Sequence, residues 1–396
     1  MATDANASPA NAYIPYSCQT IEDEDVAAVV GALKSPFLTQ GPEIPAFERA
    51  FAELHDIAHC IAVSNATAGL HIACLALGLG PGDRAWTVPN SFVASANCIR
   101  YCGAEADFVD IDPISRTMSV AALAEKLAAA ESSGELPKIV IPVDFAGMPS
   151  DMPAIRTLAD RYGFKIVEDA SHAVGASLDG NMVGSAWADI TVFSFHAVKI
   201  VTTAEGGLCA TDDAGLAQRM RLLASHGITR DRDLMEEPVP GDWYYEQVLL
   251  GYNYRMTDLQ AALGRSQLAR LPSMQARRES LVKRYNRLLA DMPLKLPSAR
   301  PNAVSAHHLY VVEIDPAGTS ATRASLFARL REAGIGVNVH YIPIHLQPYY
   351  QRLGFKPGDY PAAEAYYAKA VSLPLYPRLS EESQDRVARE LTVALG

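Results

Sequence analysis

An α/β fold is predicted by three features of the chain, with a mixed and mostly parallel sheet between helices and a smaller α+β unit behind it. Short, almost unbroken apolar runs alternate with helical patterns from Cys60 to Ser225, as expected of strands covered on both faces. Gly-, Ser- and Asp-rich turns close those runs, and most of the chemically versatile side chains sit there. A long helical pattern, Leu259 to Leu289, then leads into two helices and two strands. At 396 residues the chain exceeds what one core supports. The expected division is an N-terminal arm at 1–19, a large domain at 20–258, and a linking helix with a small C-terminal domain at 259–396.

Taken in order, Thr20 to Leu33 is expected to be helical, capped by Thr20 with Asp23 three residues on. The turn-rich Ser35 to Pro45 follows, then a helix from Ala46 to Leu54. Strand Cys60–Val63 leads through Ser64-Asn65-Ala66-Thr67 into helix Leu70–Leu77. Strand Ala85–Val88 ends in Pro89-Asn90-Ser91-Phe92, before helix Val93–Tyr101. Strands Asp107–Asp112 and Lys138–Val143 flank helix Val120–Glu131, and helix Met152–Tyr162 follows. From Phe164 to Cys209 three apolar runs, Lys165–Val167, Ile190–Phe195 and Leu208–Ala210, are separated by glycines. Helix Asp213–Ser225 comes next. The linking helix is interrupted at Pro272, and the small domain has expected strands His308–Glu313 and Gly336–Tyr341 and helices Arg323–Ala333 and Ala362–Ala370.

Composition narrows the function classes. A net charge of −11 argues against a general nucleic-acid surface but leaves room for a local anion pocket. Six cysteines without a Cys-x-x-Cys pattern read as buried thiols rather than a disulfide framework. The leader MATDANASPANA lacks the basic start and apolar core of a signal peptide and reads as a mobile arm. Ala68 to Gly80 is too short to span a bilayer. A soluble, cytoplasmic protein is expected, with neither membrane nor nucleic acid as partner.

Asp169 and Lys199, each at the end of an apolar run, are offered to one crevice. A lysine in an apolar or cationic setting becomes a nucleophile toward carbonyls. Pyridoxal phosphate needs such a lysine, an acid at its ring nitrogen, an anion cradle and an apolar cover. Ala66, Thr67 and Ser194 are candidates for the cradle; Phe92 and His172 are candidates for the cover. Each has an ordinary alternative: a plain helix N-cap at the Asn65–Thr67 turn, a core Phe92, a salt-bridged or metal-binding Glu168-Asp169 pair. His340 and His345 lack a third ligand at useful spacing, so no metal is expected.

The stretches SNATAGLHIA, EDASHAVGA, FSFHAVKIVTTAEGG and GYNYRMTDLQAALG resemble the signatures of the DegT/DnrJ/EryC1/StrS nucleotide-sugar aminotransferases, fold-type I pyridoxal-phosphate enzymes. The likeness runs from Ile14 to about Leu375. It implies that Lys199 is the Schiff-base lysine, that Asp169 pairs with the ring nitrogen, and that Thr67, the Ala66 N–H and Ser194 hold the phosphate. Phe92 would stack on the ring and His172 lie near its 3′-oxygen. Asn253 would reach the phosphate of a neighbouring subunit, making a homodimer the active unit. Thr39, Arg230, His340, Tyr341 and His345 would line the nucleotide-sugar site; for Arg230 a plain surface role is equally open. Ala66 and Ala204 stand where the family usually has Gly, which puts the phosphate turn's geometry in question.

SPFLTQGP, SFVASANCIRYCGAE, SHGITRD and VNVHYIPIHLQPYY are most similar to the pseudaminic-acid branch of that family. The resemblance implies transfer of an amino group from L-glutamate to C4 of a UDP-linked 2-acetamido-2,6-dideoxy-hexos-4-ulose. Another 4-keto nucleotide sugar, as in perosamine-type enzymes, and a non-catalytic cofactor-binding regulator are the alternatives.

Overall fold

The computed structural model describes residues 12–396 except 185 and 299. Its main sheet has seven strands: β1 (His59–Val63), β2 (Arg84–Thr87), β3 (Glu105–Phe108), β4 (Ile139–Ile141), β5 (Lys165–Asp169), β6 (Ile190–Ser194) and β7 (Gly207–Thr211). Their order is β1-β7-β6-β5-β4-β2-β3. The pairings β2–β3, β2–β4, β4–β5 and β5–β6 are parallel, whereas β7 runs antiparallel to both neighbours. Every residue of β6 and β7 is buried, which is why their sequences are apolar without alternation.

Covering this sheet are α1 (Asp23–Lys34), α2 (Glu43–His55), α3 (Ala66–Ala76), α4 (Ala94–Tyr101), α5 (Val120–Ser133), α6 (Met152–Tyr162) and α7 (Ala214–Ala224). The helix α3 lies flat against the sheet because Gly69 has no Cβ; one would approach Val192 Cγ1 to 2.9 Å. The expected Thr20 cap is displaced. The box is made by Glu22 and Asp25, and the Thr20 carbonyl accepts instead from Gln267 Nε2 at 2.9 Å.

The linking helix is two helices, α8 (Asp258–Ala269) and α9 (Leu271–Leu288), parted at Arg270. Pro272 cannot donate to a preceding turn, so the second helix starts afresh around it. Asp258 also organises the entry to α2, its carboxylate accepting from the N–H groups of Gly41 and Glu43 at 2.8 and 2.9 Å.

A second sheet, β8 (Leu294–Lys295), β9 (Tyr310–Ile314) and β10 (Ala370–Leu373), is antiparallel throughout. With α9, α10 (Arg323–Glu332) and the C-terminal helix Glu381–Leu395 it encloses its own apolar cluster. Two expectations change here. Gly336–Tyr341 is not a strand but a chain with a single bridge, Asn338 to Ser372. The third strand is supplied by 370–373, so the helix expected to reach Ala370 ends at Tyr367. Residues 1–11 of the expected mobile arm lie outside the described residues. From Ile14 on, the chain is tied down: Ile14 exchanges backbone bonds with Gly334 and Gly336, and Tyr16 accepts from Leu375. No helix among the described residues is long and apolar enough to cross a membrane.

Candidate active site

A cavity of about 880 Å³ opens over the C-terminal ends of β5 and β6. Nine of the thirteen candidate site residues line it: Ala66, Thr67, Phe92, Asp169, His172, Ser194, Lys199, His340 and Tyr341.

The candidate anion cradle is the start of α3. Asn65 caps the helix, its Oδ1 accepting from the Ala68 N–H at 2.9 Å. The N-cap and the cradle are therefore not rivals: Asn65 caps, and the first-turn residues Ala66 and Thr67 face the cavity with the positive end of the helix dipole. This turn sits directly on β7. A Cβ at Gly207 would meet Ala66 N and Asn65 C at 2.6 Å, so a glycine is needed there. Ala66 itself is an ordinary helical residue. The strain lies instead at Ala204, whose φ is +68°.

Asp169 is buried at the end of β5 and its carboxylate accepts from three donors. Ser95 Oγ donates to Oδ2 at 2.7 Å, and Ser171 Oγ and N–H to Oδ1 at 2.6 and 3.2 Å. Lys199 sits in the β6–β7 loop, pinned by the Thr203 N–H to Phe195 carbonyl bond at 2.9 Å. Burial pushes the Lys199 ammonium down to about 8, against the opposing pull of Asp169. Its Nζ makes no hydrogen bond or ion pair among the described residues, which leaves it available as a nucleophile.

His172 is buried and accepts at Nδ1 from the Ala146 N–H at 3.2 Å. The proton is therefore on Nε2, which donates to Tyr341 Oη at 3.1 Å. Burial and the nearby Lys199 charge hold His172 well below the usual histidine range, so it is neutral. Phe92 is 59% exposed, which removes the core reading; its ring lies 6.3 Å from that of Tyr341 at the cavity mouth. His340 is buried, with Nδ1 2.7 Å from Ser372 Oγ. Burial lowers its pKa to about 4, helped by Lys199.

The other four candidates lie elsewhere. His345 is wholly buried, its Nε2 2.9 Å from Glu364 Oε1 and its ring 4.8 Å from that of Tyr360. The substrate role implied for it is corrected to a core role, because it is buried against Glu364 and Tyr360 and does not line the cavity. Thr39, Arg230 and Asn253 are exposed and do not line the cavity. Arg230 lies over the Tyr245 ring at 5.8 Å, Thr39 bridges to Thr257, and Asn253 bridges to Ser225. Among the cavity residues absent from the sequence-predicted site are Tyr16, Ser171 and His308. Of these only Ser171, two residues after Asp169, carried a local signal. Among the described residues no group of three or more His, Cys, Asp or Glu is arranged to hold a metal ion.

The requirements of pyridoxal phosphate are met by this floor. An unpaired lysine, a carboxylate fixed by three donors, and a helix N-terminus seated on Gly207 face one cavity. Comparisons with known proteins agree. The chain matches the model of the DegT/DnrJ/EryC1/StrS aminotransferase family over residues 19–392. It is 40% identical over 380 residues to the spore coat polysaccharide biosynthesis protein SpsC of Bacillus subtilis, covering 95% of this chain and 96% of that one. Among solved structures it is similar to Helicobacter pylori PseC, an aminotransferase involved in the biosynthesis of pseudoaminic acid. There the TM-score is 0.88 at 30% identity, over 97% of this chain and 99% of the other. A Streptococcus pneumoniae protein solved in a pyridoxamine-phosphate form is similar with a TM-score of 0.87 at 30% identity, over 96% and 98%. The chain therefore belongs to the DegT/DnrJ/EryC1/StrS aminotransferase family, with pyridoxal phosphate as its cofactor.

Proposed function

We propose that this protein moves an amino group from L-glutamate to C4 of a UDP-linked 2-acetamido-2,6-dideoxy-hexos-4-ulose, the precursor sugar of pseudaminic acid. The observation that carries the chemistry is the unpaired Lys199 amine facing one cavity with Asp169 and the start of α3. The likeness to PseC supports the sugar.

Pyridoxal phosphate, when bound, supplies an electron sink for the carbon that loses a proton. Lys199 would anchor it and then work as a free amine, taking that proton and returning it to the carbon on the other side of the intervening nitrogen, on the same face. Its lowered pKa suits both acts, because the amine is partly unprotonated near neutrality. Asp169 presents a fixed negative charge to the ring nitrogen, with Ser95 and Ser171 holding the carboxylate in place. Ala66, Thr67 and Ser194 would bind the phosphate, Phe92 would cover the ring, and neutral His172 would lie near the ring oxygen. His340 and Tyr341 border the sugar. Thr39 and Arg230 reach nucleotide groups beyond the mouth, and Asn253 completes the phosphate site of a second copy, so that the working unit is a homodimer in the cytoplasm.

The second reading, another 4-keto nucleotide sugar, is kept because the chain is also 40% identical to a spore coat polysaccharide biosynthesis protein. The test is a half-reaction with glutamate followed by a panel of UDP- and GDP-linked 4-keto sugars. Turnover of the UDP-linked 2-acetamido sugar is expected. Turnover of GDP-linked sugars alone overturns the proposal.

A further inference from the structure

Beside Asp169 lie two further carboxyl groups that the chemistry above does not use. Asp144, Glu168 and Asp169 are 0%, 3% and 4% exposed; Lys199 acts on Asp169, whereas neither Asp144 nor Glu168 has a Lys, Arg or His partner among the described residues. Two buried carboxylates that face each other without a cation cannot both be ionised, because burial penalises each charge and each raises the cost of the other.

The hydrogen bonding shows where the extra proton goes. Asp169 is already filled by donors from Ser95 and Ser171. Glu168 Oε2 accepts from Thr191 Oγ1 at 2.8 Å, and Asp144 Oδ1 accepts from the Ser150 N–H at 2.8 Å. Asp144 Oδ2 is buried with no donor of its own, and the Glu168 carboxyl faces it within hydrogen-bonding reach. Two acceptors facing each other are satisfied only when one of them is protonated. Asp144 is also the backbone neighbour of Asp169, donating its N–H to the Asp169 carbonyl at 3.1 Å. The groups that face the pair are Asp169 on the same strand as Glu168, Thr191 on β6 and Ser150 on the loop; Lys199 and Tyr341 face Asp169.

We propose that Asp144 and Glu168 are positioning residues that share one proton and hold a single negative charge beside Asp169, fixing the end of β5 on which Asp169 stands. The direction of the burial effects agrees: desolvation raises Glu168 to about 7 and Asp144 as well, the latter further raised by Glu168. The pair belongs to the scaffold, so the proposal rests on the reading of Asp169 only for its consequence, not for the shared proton.

Infrared difference spectroscopy of the cofactor-free protein at neutral pH is the test. The wild type is expected to show a protonated-carboxyl stretch from a buried acid, and Glu168→Gln to lack it, because the amide donates to an ionised Asp144. Titration with pyridoxal phosphate gives the second readout. Glu168→Gln, which keeps the bond, should bind within about threefold of wild type, whereas Glu168→Leu, which strands Asp144, should bind about tenfold more weakly. Absence of the stretch in the wild type, its persistence in Glu168→Gln, or equal affinity of the Gln and Leu variants overturns the proposal. Failure of every form to bind the cofactor while the stretch behaves as stated would overturn the cofactor site instead.

Discussion

Replacing Gly207 by Ala asks whether the phosphate turn depends on the strand beneath it. The added Cβ would lie 2.6 Å from Ala66 N, 2.6 Å from Asn65 C and 2.9 Å from Ala66 Cα, all backbone atoms. No side chain can rotate away, so the start of α3 must lift by several tenths of an ångström. Overpacking of this kind costs about 1–3 kcal/mol. The ordinary gain from replacing a strand glycine offsets about 0.5–1 kcal/mol, leaving a net loss of up to about 2.5 kcal/mol. The lifted turn also moves the Ala66 and Thr67 N–H groups off their aim, so affinity for pyridoxal phosphate should fall by about tenfold for each 1.4 kcal/mol of lost contact. Denaturant unfolding of the cofactor-free protein measures the first effect and spectroscopic titration the second. The control is Gly31→Ala in α1, where nothing lies within 4 Å, which should stabilise by about 1 kcal/mol and leave affinity unchanged. If Gly207→Ala matches the wild type in both stability and affinity, the account of the turn is refuted.

Ala204→Gly, relieving a φ of +68°, should raise the unfolding free energy by up to about 1 kcal/mol; a decrease would show that the loop needs the methyl. Acid should destabilise the fold early. His55 is buried with its pKa lowered to about 4, so the unfolded chain takes up a proton first and stability falls from pH 6.5 down to about 4, by about 3 kcal/mol for this residue. Thermal scans of wild type and His55→Phe across that window check it, and equal slopes would contradict it. In the cofactor-free protein, imine formation between Lys199 and a small aldehyde should rise with pH to a plateau above about 8 rather than above 10. Reductive trapping at a series of pH values reads the midpoint.

Much of the main sheet is legible in the sequence because strands buried on both faces carry unbroken apolar runs, as Ile190–Ser194 and Gly207–Thr211 do. The strand expected from Asp107 to Asp112 stops at Phe108 for a reason no local pattern carries. Asp110 turns out of the sheet to cap a helix 252 residues away, accepting from Ala362 and Ala363 N–H groups. The second sheet departs from expectation for a similar reason: Ala370–Leu373 pairs with Tyr310–Glu313 only once the chain has returned, and its apolar run also fits a helix end. In the site, Lys199, Asp169 and the α3 turn stand at strand ends and can be seen in the sequence. Tyr16 and His308 cannot, because long-range docking of the N-terminal and C-terminal segments brings them there. His345 drew notice through His340, five residues earlier, yet the chain between them turns it into the core against Glu364.

The central claim is that Lys199 is the residue to which the cofactor is attached and through which protons move. Borohydride reduction of the protein loaded with pyridoxal phosphate, followed by peptide mapping, tests it directly. The account predicts a single label on Lys199 and no glutamate half-reaction in Lys199→Ala. A label on another lysine, or a half-reaction that survives in Lys199→Ala, would contradict it.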